Sequence, residues 1–142
     1  MKKYRRGYTA GVYDMFHVGH LNVIKNAKSL CDYLIVGVSS DEVVIKNKNK
    51  VPVIPYEERK QIVDAIRYVD KAVIQNSYSI ERKIETAQEL GIDVMFVGDD
   101  WKNTDKWNKI EEELNKIGVD VVYLPHTDGI SSTMLREKIN NK

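Results

Sequence analysis

Along the chain, short runs of apolar residues alternate with segments in which apolar residues recur every three or four positions. Short apolar runs are typical of strands buried in a parallel sheet, and the longer spacing is typical of helices. The runs predict five strands, at residues 8–13, 32–38, 71–75, 92–97 and 119–124. The helical spacing predicts helices at residues 18–30, 56–68, 79–90, 107–117 and 131–140, with a short additional helix after residue 39.

Local signals refine this outline in the first half of the chain. Ser39 is followed three residues later by Glu42, a spacing that predicts a capping box at the start of the short helix. Residues 46–50, Lys-Asn-Lys-Asn-Lys, show no apolar periodicity and are predicted to form a loop. The helix over residues 56–68 is expected to bury one apolar face, formed by Ile62, Val63 and Ile66.

Strands that alternate with helices predict a single α/β domain, spanning residues 1–142, with a five-stranded parallel sheet. Crossovers in such a sheet are right-handed, and ligands bind at the carboxyl ends of its strands. The composition, 42% apolar and 30% charged, is ordinary for a globular protein. We therefore look for functional residues in the segments that follow the strands.

Charge and cysteine content exclude several classes of function. A net charge of +1 argues against a general nucleic-acid or membrane binder, which would carry a basic excess. No apolar run has the length of a membrane span, so membrane insertion is not expected. A single cysteine, Cys31, rules out an internal disulfide. These features predict a cytoplasmic protein that does not act on nucleic acid.

Two histidines, His17 and His20, lie where the first predicted strand gives way to a helix. The first turn of a helix has unpaired N–H groups and a positive dipole end, which together attract anions. Residues three apart share one helix face, so both imidazoles would reach one point. The pattern indicates a phosphate site, although ordinary polar residues at a helix start remain an alternative. A histidine metal site is disfavoured because the chain has only three histidines and one cysteine.

Three further segments, residues 46–50, 98–101 and 126–133, also follow predicted strands, so all could converge with the histidines on one pocket. Lysines in the first segment would neutralise a triphosphate. In the last, Gly129 permits a turn and Ser131 would cap a helix that faces the pocket. Each segment also has a plainer reading, as a solvated loop, a turn or an ordinary helix start.

The sequence Gly11-Val12-Tyr13-Asp14-Met15-Phe16-His17-Val18-Gly19-His20 resembles the signature of the nucleotidyltransferase superfamily, and within it the cytidylyltransferases. Residues 126–133 resemble the Arg-Thr-x-Gly-Ile-Ser-Thr-Thr segment of that family, with His126 in place of its arginine, and residues 67–70 match its Arg-Tyr-Val-Asp segment. The resemblance covers nearly the whole chain and implies a Rossmann-like doubly wound domain. The loss of an always-charged, bidentate donor at position 126 leaves the identity of the nucleotide less certain.

The resemblance also implies roles for individual residues. The residues implied in catalysis are His17, His20, Lys48 and Lys50. Those implied in nucleotide binding are Val12, Tyr13, Asp14, Gly19, Asp100, His126, Thr127, Gly129, Ile130, Ser131, Ser132 and Thr133. Those implied in acceptor binding are Lys48, Arg67 and Lys83, with Arg82 as a neighbour that could act like Lys83. Arg67 has two other interpretations, a contact between two copies of the chain and a solvated pair with Asp70.

The implied reaction transfers a cytidylyl group from CTP to a small phosphorylated alcohol, with sn-glycerol 3-phosphate as the first choice. The attacking phosphate oxygen is already anionic, so no general base is required. The resemblance further implies Mg²⁺ carried by the nucleotide phosphates, no protein-held metal, and a homodimer. Residues 46–55 and 76–83 are expected to set the choice of acceptor.

Three alternatives stay open at this stage. The acceptor could be another small phosphate ester, such as phosphocholine or phosphoethanolamine. The enzyme could use ATP and transfer an adenylyl group on the same fold. A nucleotide-binding module without catalysis is the third alternative, and the intact His-x-Gly-His sequence argues against it.

Overall fold

A five-stranded parallel sheet organises residues 3–125, the part of the chain that the computed structural model describes. The strands are β1 (Tyr4–Gly11), β2 (Cys31–Ser39), β3 (Lys71–Gln75), β4 (Val94–Gly98) and β5 (Asp120–Leu124). Their order across the sheet is β3-β2-β1-β4-β5, and every neighbouring pair is parallel. The five-stranded parallel sheet expected from the apolar runs is confirmed. The predicted helix at residues 131–140 lies outside the described residues.

Helices connect successive strands and cover both faces of the sheet. They are α1 (Val18–Ser29), α2 (Asp41–Lys48), α3 (Tyr56–Asp64), α4 (Ile80–Leu90) and α5 (Asp105–Lys116), with a short 3-10 turn at Asp99–Trp101. None of the helices within residues 3–125 combines the length and the apolar character that crossing a lipid bilayer requires. Helices on both faces give the doubly wound arrangement that the family resemblance implies.

Alternate residues of the central strands pack into two separate hydrophobic cores, one on each face of the sheet, because successive side chains of a strand point to opposite faces. Leu34 and Val36 of β2 pack with Ile24 of α1 on one face. Ile35 of β2 packs with Ala87 of α4 and Trp107 of α5 on the other. The sheet is therefore buried on both sides, which explains why its strands are continuous apolar runs.

The cap of α2 differs from the prediction by one residue. Ser40, not Ser39, is the N-cap, and its hydroxyl accepts from the Val43 N–H. Ser39 belongs instead to β2, where it pairs in register with Gln75 and donates to the Gln75 side chain at 3.0 Å. Because the sheet takes up Ser39, the next serine caps the helix.

The predicted lysine loop is also partly wrong. Lys46 and Lys48 lie in the last turn of α2, and Asn49 caps the helix in a left-handed conformation with φ of 52°. Lysines near a helix C-terminus interact favourably with its dipole. This short helix buries Val43 and Val44 alone, so it needs no long apolar periodicity.

Helix α3 is shorter than predicted, because it ends at Asp64 and not at residue 68. Val63 is fully buried as expected, and Ile66 packs partly against the same core. Ile62 was expected on the apolar face but is 40% exposed. The buried face of α3 is completed by Arg59, a charged residue that the apolar pattern does not identify.

Candidate functional site

A cavity of about 820 Å³ opens at the carboxyl ends of β1, β2, β3 and β4. Small-molecule sites in proteins usually have volumes of about 300–1,000 Å³, so the cavity is large enough for substrates. Its walls come from the segment after β1 and from α2, α4 and α5. The expectation that the segments after the strands meet at one edge is thus met for the described residues.

Most of the candidate residues that lie within the described part of the chain line this cavity. They are Val12, Tyr13, Asp14, His20, Lys48, Lys50, Lys83 and Asp100, together with Arg82, which also pairs with Glu85 and Glu89. His17 and Gly19 are next to it at the start of α1. The candidates His126, Thr127, Gly129, Ile130, Ser131, Ser132 and Thr133 lie outside the described residues.

The two histidines form the N-terminal cap of α1. The Gly19 N–H donates to Nδ1 of His17 at 3.0 Å, and the His17 N–H donates to Nδ1 of His20 at 3.2 Å. A ring nitrogen that accepts from a backbone N–H carries no proton, so the proton of each neutral imidazole lies on Nε2. The cap therefore fixes both rings as Nε2–H donors.

The environment of the two rings keeps them neutral. They stack with their centroids 3.9 Å apart. Burial, and to a lesser extent the neighbouring His17, lowers the pKa of His20 to about 4, although Asp14 acts in the opposite direction. Burial also lowers the pKa of His17. Within residues 3–125, the buried Nε2 of His17 has no hydrogen-bond partner, so a donor is left over for a ligand.

The backbone before α1 is strained at two positions. Tyr13 and Met15 have φ values of 56° and 50°, a left-handed conformation that is unfavourable for residues with large side chains. The Tyr13 ring is buried and packs edge-on against His20, with centroids 5.5 Å apart. Such strain is common at functional sites, where it holds side chains in one arrangement.

Asp14 anchors the segment between α2 and α3. Its carboxylate oxygens accept from the N–H groups of Val53 and Ile54, at 2.8 and 2.9 Å. The side chain is 1% exposed. These bonds hold the segment against the cavity, and a direct contact of Asp14 with a nucleotide stays a prediction.

Arg59 ties four parts of the site wall together. Its guanidinium donates to the backbone oxygens of Val12, Ser39 and Ile54 at 2.7–2.8 Å, and to the Asp41 carboxylate at 2.6 Å. Arg59 is fully buried. The apolar pattern does not identify Arg59, although its spacing from Val63 places it on the buried face of α3.

Lysine side chains give the cavity an excess of positive charge. Lys48, Lys50, Lys83 and Lys106 all line it. Burial, and secondarily Lys106, lowers the pKa of Lys83 to about 8. Burial also lowers the pKa of Lys48, with further contributions from Lys50 and Lys106. Neighbouring ammonium groups that lower the pKa of Lys48 and Lys83 in this way favour an anionic ligand.

Lys106, Trp107 and Tyr78 were not singled out from the sequence, although Tyr78 falls within residues 76–83, which are expected to set the acceptor. Lys106 and Trp107 belong to the first turn of α5, and Tyr78 precedes α4. Their place in the cavity depends on how α4 and α5 pack on the sheet. The local sequence carries no signal for that packing.

Asp100 and Trp101 lie on the 3-10 turn after β4. The Asp100 carboxylate folds back over Gly98, whose backbone it approaches so closely that an added Cβ would lie 2.7 Å from Oδ1. A side chain at position 98 would therefore make the Asp100 carboxylate, the end of an exposed side chain, move away from this position. Asp100 is exposed toward the cavity, where a carboxylate can accept from an exocyclic amine.

Arg67 does not reach the cavity, and its predicted role in acceptor binding is not supported by its position. It precedes β3, at the amino-end edge of the sheet, and its guanidinium lies 5.2 Å from the Tyr68 ring centroid. The alternative in which Arg67 pairs with Asp70 is not seen either, because Asp70 pairs with Lys28 at 2.6 Å. The segment after α3 passes the edge opposite to the one that binds ligands.

Comparisons with known proteins agree with this geometry. A model of the protein family described as Cytidylyltransferase-like matches residues 8–138. Over 131 residues, the chain is 38% identical to the glycerol-3-phosphate cytidylyltransferase of Bacillus subtilis, covering 92% of this chain and 94% of that protein. It is 41% identical over 123 residues to the FAD synthase of Pyrococcus abyssi, covering 85% of this chain and 80% of that protein.

A solved structure shows the same architecture. The lipopolysaccharide core biosynthesis protein of Thermoplasma volcanium superposes with a TM-score of 0.70 at 26% identity, and the match covers 87% of this chain and 97% of that one. The family match and the relatives thus extend over the strands, the histidine cap and the lysine-lined cavity together.

Proposed function

The chain belongs to the cytidylyltransferase-like family, and we propose on that basis that it transfers a cytidylyl group from CTP to sn-glycerol 3-phosphate, giving CDP-glycerol and pyrophosphate. The observation that carries the proposal is the meeting of the histidine cap of α1 with the cavity lysines at one sheet edge. The 38% identity to a glycerol-3-phosphate cytidylyltransferase over 92% of the chain supports the choice of both substrates.

In this reaction a phosphate oxygen of the acceptor attacks the α-phosphorus of CTP, and pyrophosphate leaves. The attacking oxygen is anionic, so the protein's task is to align the reactants and to stabilise the developing charge. The Nε2–H groups of His17 and His20, with the free N–H groups of α1, are the proposed donors to the α- and β-phosphates.

In this proposal the cavity lysines neutralise the remaining negative charge of the two substrates' phosphates. Lys48 and Lys50 would contact the triphosphate, and Lys48 and Lys83 the acceptor phosphate, since all three line the same cavity. Asp100 would accept a hydrogen bond from the amino group of cytosine. Arg59 and Asp14 act indirectly, because their bonds to backbone groups position the walls.

Mg²⁺ is proposed to enter with the nucleotide. Within residues 3–125, no group of three or more His, Cys, Asp or Glu side chains could hold a metal ion. The cavity instead offers lysines, which suit a ligand that brings its own cation on phosphate oxygens, the hard ligands that Mg²⁺ prefers. When bound there, Mg²⁺ supplies additional neutralisation of the phosphate charge.

An adenylyltransferase is the second candidate, because the chain is 41% identical to an FAD synthase. Pyrophosphate release from CTP and from ATP would separate the two, with glycerol 3-phosphate, phosphocholine, phosphoethanolamine and FMN as acceptors. The proposal expects turnover with CTP and glycerol 3-phosphate to exceed every other pair. Faster turnover with ATP and FMN would overturn it, and no release from any pair would favour a binding module.

We also propose that the protein forms a homodimer in the cytoplasm, as the family resemblance implies. Arg67 is exposed at the sheet edge away from the cavity, so a contact between copies is the role that its position permits. Light scattering on the purified protein measures the mass directly. The buried thiol of Cys31 is compatible with a reducing compartment.

A further inference from the structure

We infer that Lys106, together with Lys83, selects against acceptors that carry an ammonium group, so that the acceptor is the phosphate ester of an uncharged, hydroxylated alcohol. The inference rests on the proposed function and concerns the part of the cavity formed by Tyr78, Trp101 and Trp107. It assigns a role in specificity to a lysine that no motif identifies.

Aromatic rings are the usual means by which proteins hold an ammonium ligand, through cation–π attraction. Here the protein's own lysines already occupy positions over these rings. The ammonium of Lys83 lies 5.7 Å from the Tyr78 ring centroid and 5.6 Å from that of Trp107. The ammonium of Lys106 lies 5.8 Å from the Trp101 ring centroid. A ligand ammonium would meet like charge where it would otherwise find aromatic faces.

Two of the three rings, those of Tyr78 and Trp107, are held in place together with Lys83, whereas Trp101 is 43% exposed. The Tyr78 hydroxyl donates to Ser39 Oγ at 2.9 Å, and Ser39 is fully buried. Lys83 is 8% exposed and donates to the Tyr78 carbonyl at 3.2 Å. Trp107 is itself buried in the core of α5 and the sheet. An ammonium ligand therefore could not displace Lys83 from between the rings at low cost.

No carboxylate of the described residues forms an ion pair with Lys83 or Lys106. The acidic residues that line the cavity are Asp14, which accepts two backbone N–H groups, and Asp100, on the 3-10 turn. This excess of positive charge strengthens the binding of an acceptor's phosphate group. It weakens the binding of an acceptor that also carries an ammonium group.

Uncharged polar residues lie where the cavity meets a neighbouring groove. Asn47, Asn76 and Ser77 line both, as does Lys106, whereas the charged residues Glu42 and Lys46 line the groove alone. Amides and hydroxyls donate and accept, so they can bind alcohol hydroxyls in either sense. The chemistry near Lys106 therefore fits a polyol and disfavours an amino alcohol.

The test compares two esters of nearly equal shape, 2-hydroxyethyl phosphate and phosphoethanolamine, which differ by a hydroxyl in place of an ammonium. Calorimetry with Mg²⁺ and a non-reactive CTP analogue measures their affinities without requiring turnover. The wild-type protein should bind the hydroxyl ester at least about tenfold more tightly, the order expected for one like-charge contact a few ångströms away. In Lys106→Met the affinity for phosphoethanolamine should rise and the ratio should fall by about threefold or more.

Lys109→Met is the matched control, because Lys109 lies on the same helix and pairs with Glu113. It should leave the ratio unchanged. Equal affinities in the wild type, no binding of either ester, an unchanged ratio in Lys106→Met, or the same change in both variants would each overturn the inference. A gain in affinity cannot arise from misfolding. Failure of pyrophosphate release, measured separately, would instead overturn the proposed function.

Discussion

Lys83 shows how one residue can make substrate binding depend on pH near neutrality. Its ammonium is enclosed by α4 and two aromatic rings, and burial lowers its pKa to about 8. Below that pH the side chain is charged and, in the proposed reaction, would attract the acceptor phosphate. Above it, the proton is lost and the attraction with it. An arginine at the same position stays charged at every pH of interest.

We expect the KM for glycerol 3-phosphate to rise about tenfold between pH 7 and pH 9 in the wild-type protein, because the free enzyme loses the Lys83 charge in that interval. In Lys83→Arg this rise should be largely abolished, while kcat at pH 7 falls because the guanidinium is larger. Steady-state pyrophosphate release across the pH range, with CTP saturating, gives both profiles. Parallel profiles for the two proteins would show that another group is responsible.

Individual site residues are predictable where a side chain suited to phosphate or nucleotide binding lies in a segment that follows a strand. His20, Lys48, Lys50 and Asp100 each follow a strand, so the parallel sheet brings them together. Arg67 follows a helix, and the same argument applied to it would have placed it at the opposite edge. Residues such as Lys106 reach the cavity only through the packing of one helix on the sheet.

At the scale of elements, the start of α1 has two tasks. The His17 ring caps the helix through Nδ1 and presents Nε2 as an unpartnered donor among the described residues. One side chain thus links helix stability and the proposed chemistry. A replacement that keeps the cap but removes the distal nitrogen separates the two.

We expect His17→Ala to lower kcat about a hundredfold through the lost donor and to destabilise the protein by about 1 kcal/mol through the lost cap. His17→Asn should recover most of the stability, because asparagine is a good N-cap, without recovering kcat. Urea unfolding and pyrophosphate release measure the two effects on the same samples. If asparagine restores turnover, the role of His17 is limited to capping.

Most elements were predictable within a few residues because strands buried on both faces and capped helices leave clear patterns. The structure departs from the sequence pattern at α2 and α3, for different physical reasons. Helix α2 buries too few residues to show periodicity, and its lysines therefore resemble a loop. Helix α3 ends early, and its buried face includes the charged Arg59.

At the scale of the whole molecule, the small net charge hides a strongly uneven distribution. The chain carries a net charge of +1, yet Lys48, Lys50, Lys83 and Lys106 share one cavity. Composition alone argues against a general polyanion binder and gives no sign of this local field. The topology creates that field, since α2, α4 and α5 all present lysines to the same sheet edge.

Several segments of the chain meet at Arg59, so this single side chain affects the stability of the whole fold. Its bonds join the end of β1, the end of β2, the start of α2 and the segment before α3. Removing the guanidinium would leave three backbone oxygens and the Asp41 carboxylate without this partner inside the protein. Asp41 is 36% exposed and can be solvated, so most of the cost comes from the backbone oxygens, at about 1–3 kcal/mol for each group left buried and unsatisfied.

We therefore expect Arg59→Met, which keeps the aliphatic volume, to lower the free energy of unfolding by about 3 kcal/mol, a large share of the 5–15 kcal/mol typical of a domain. Gln61→Met, an exposed change on the same helix, should cost less than about 0.5 kcal/mol. Urea unfolding followed by circular dichroism measures both. A cost below about 1 kcal/mol for Arg59→Met would mean that water reaches the freed oxygens, and that the wall they form is held by Asp14 and its two backbone bonds.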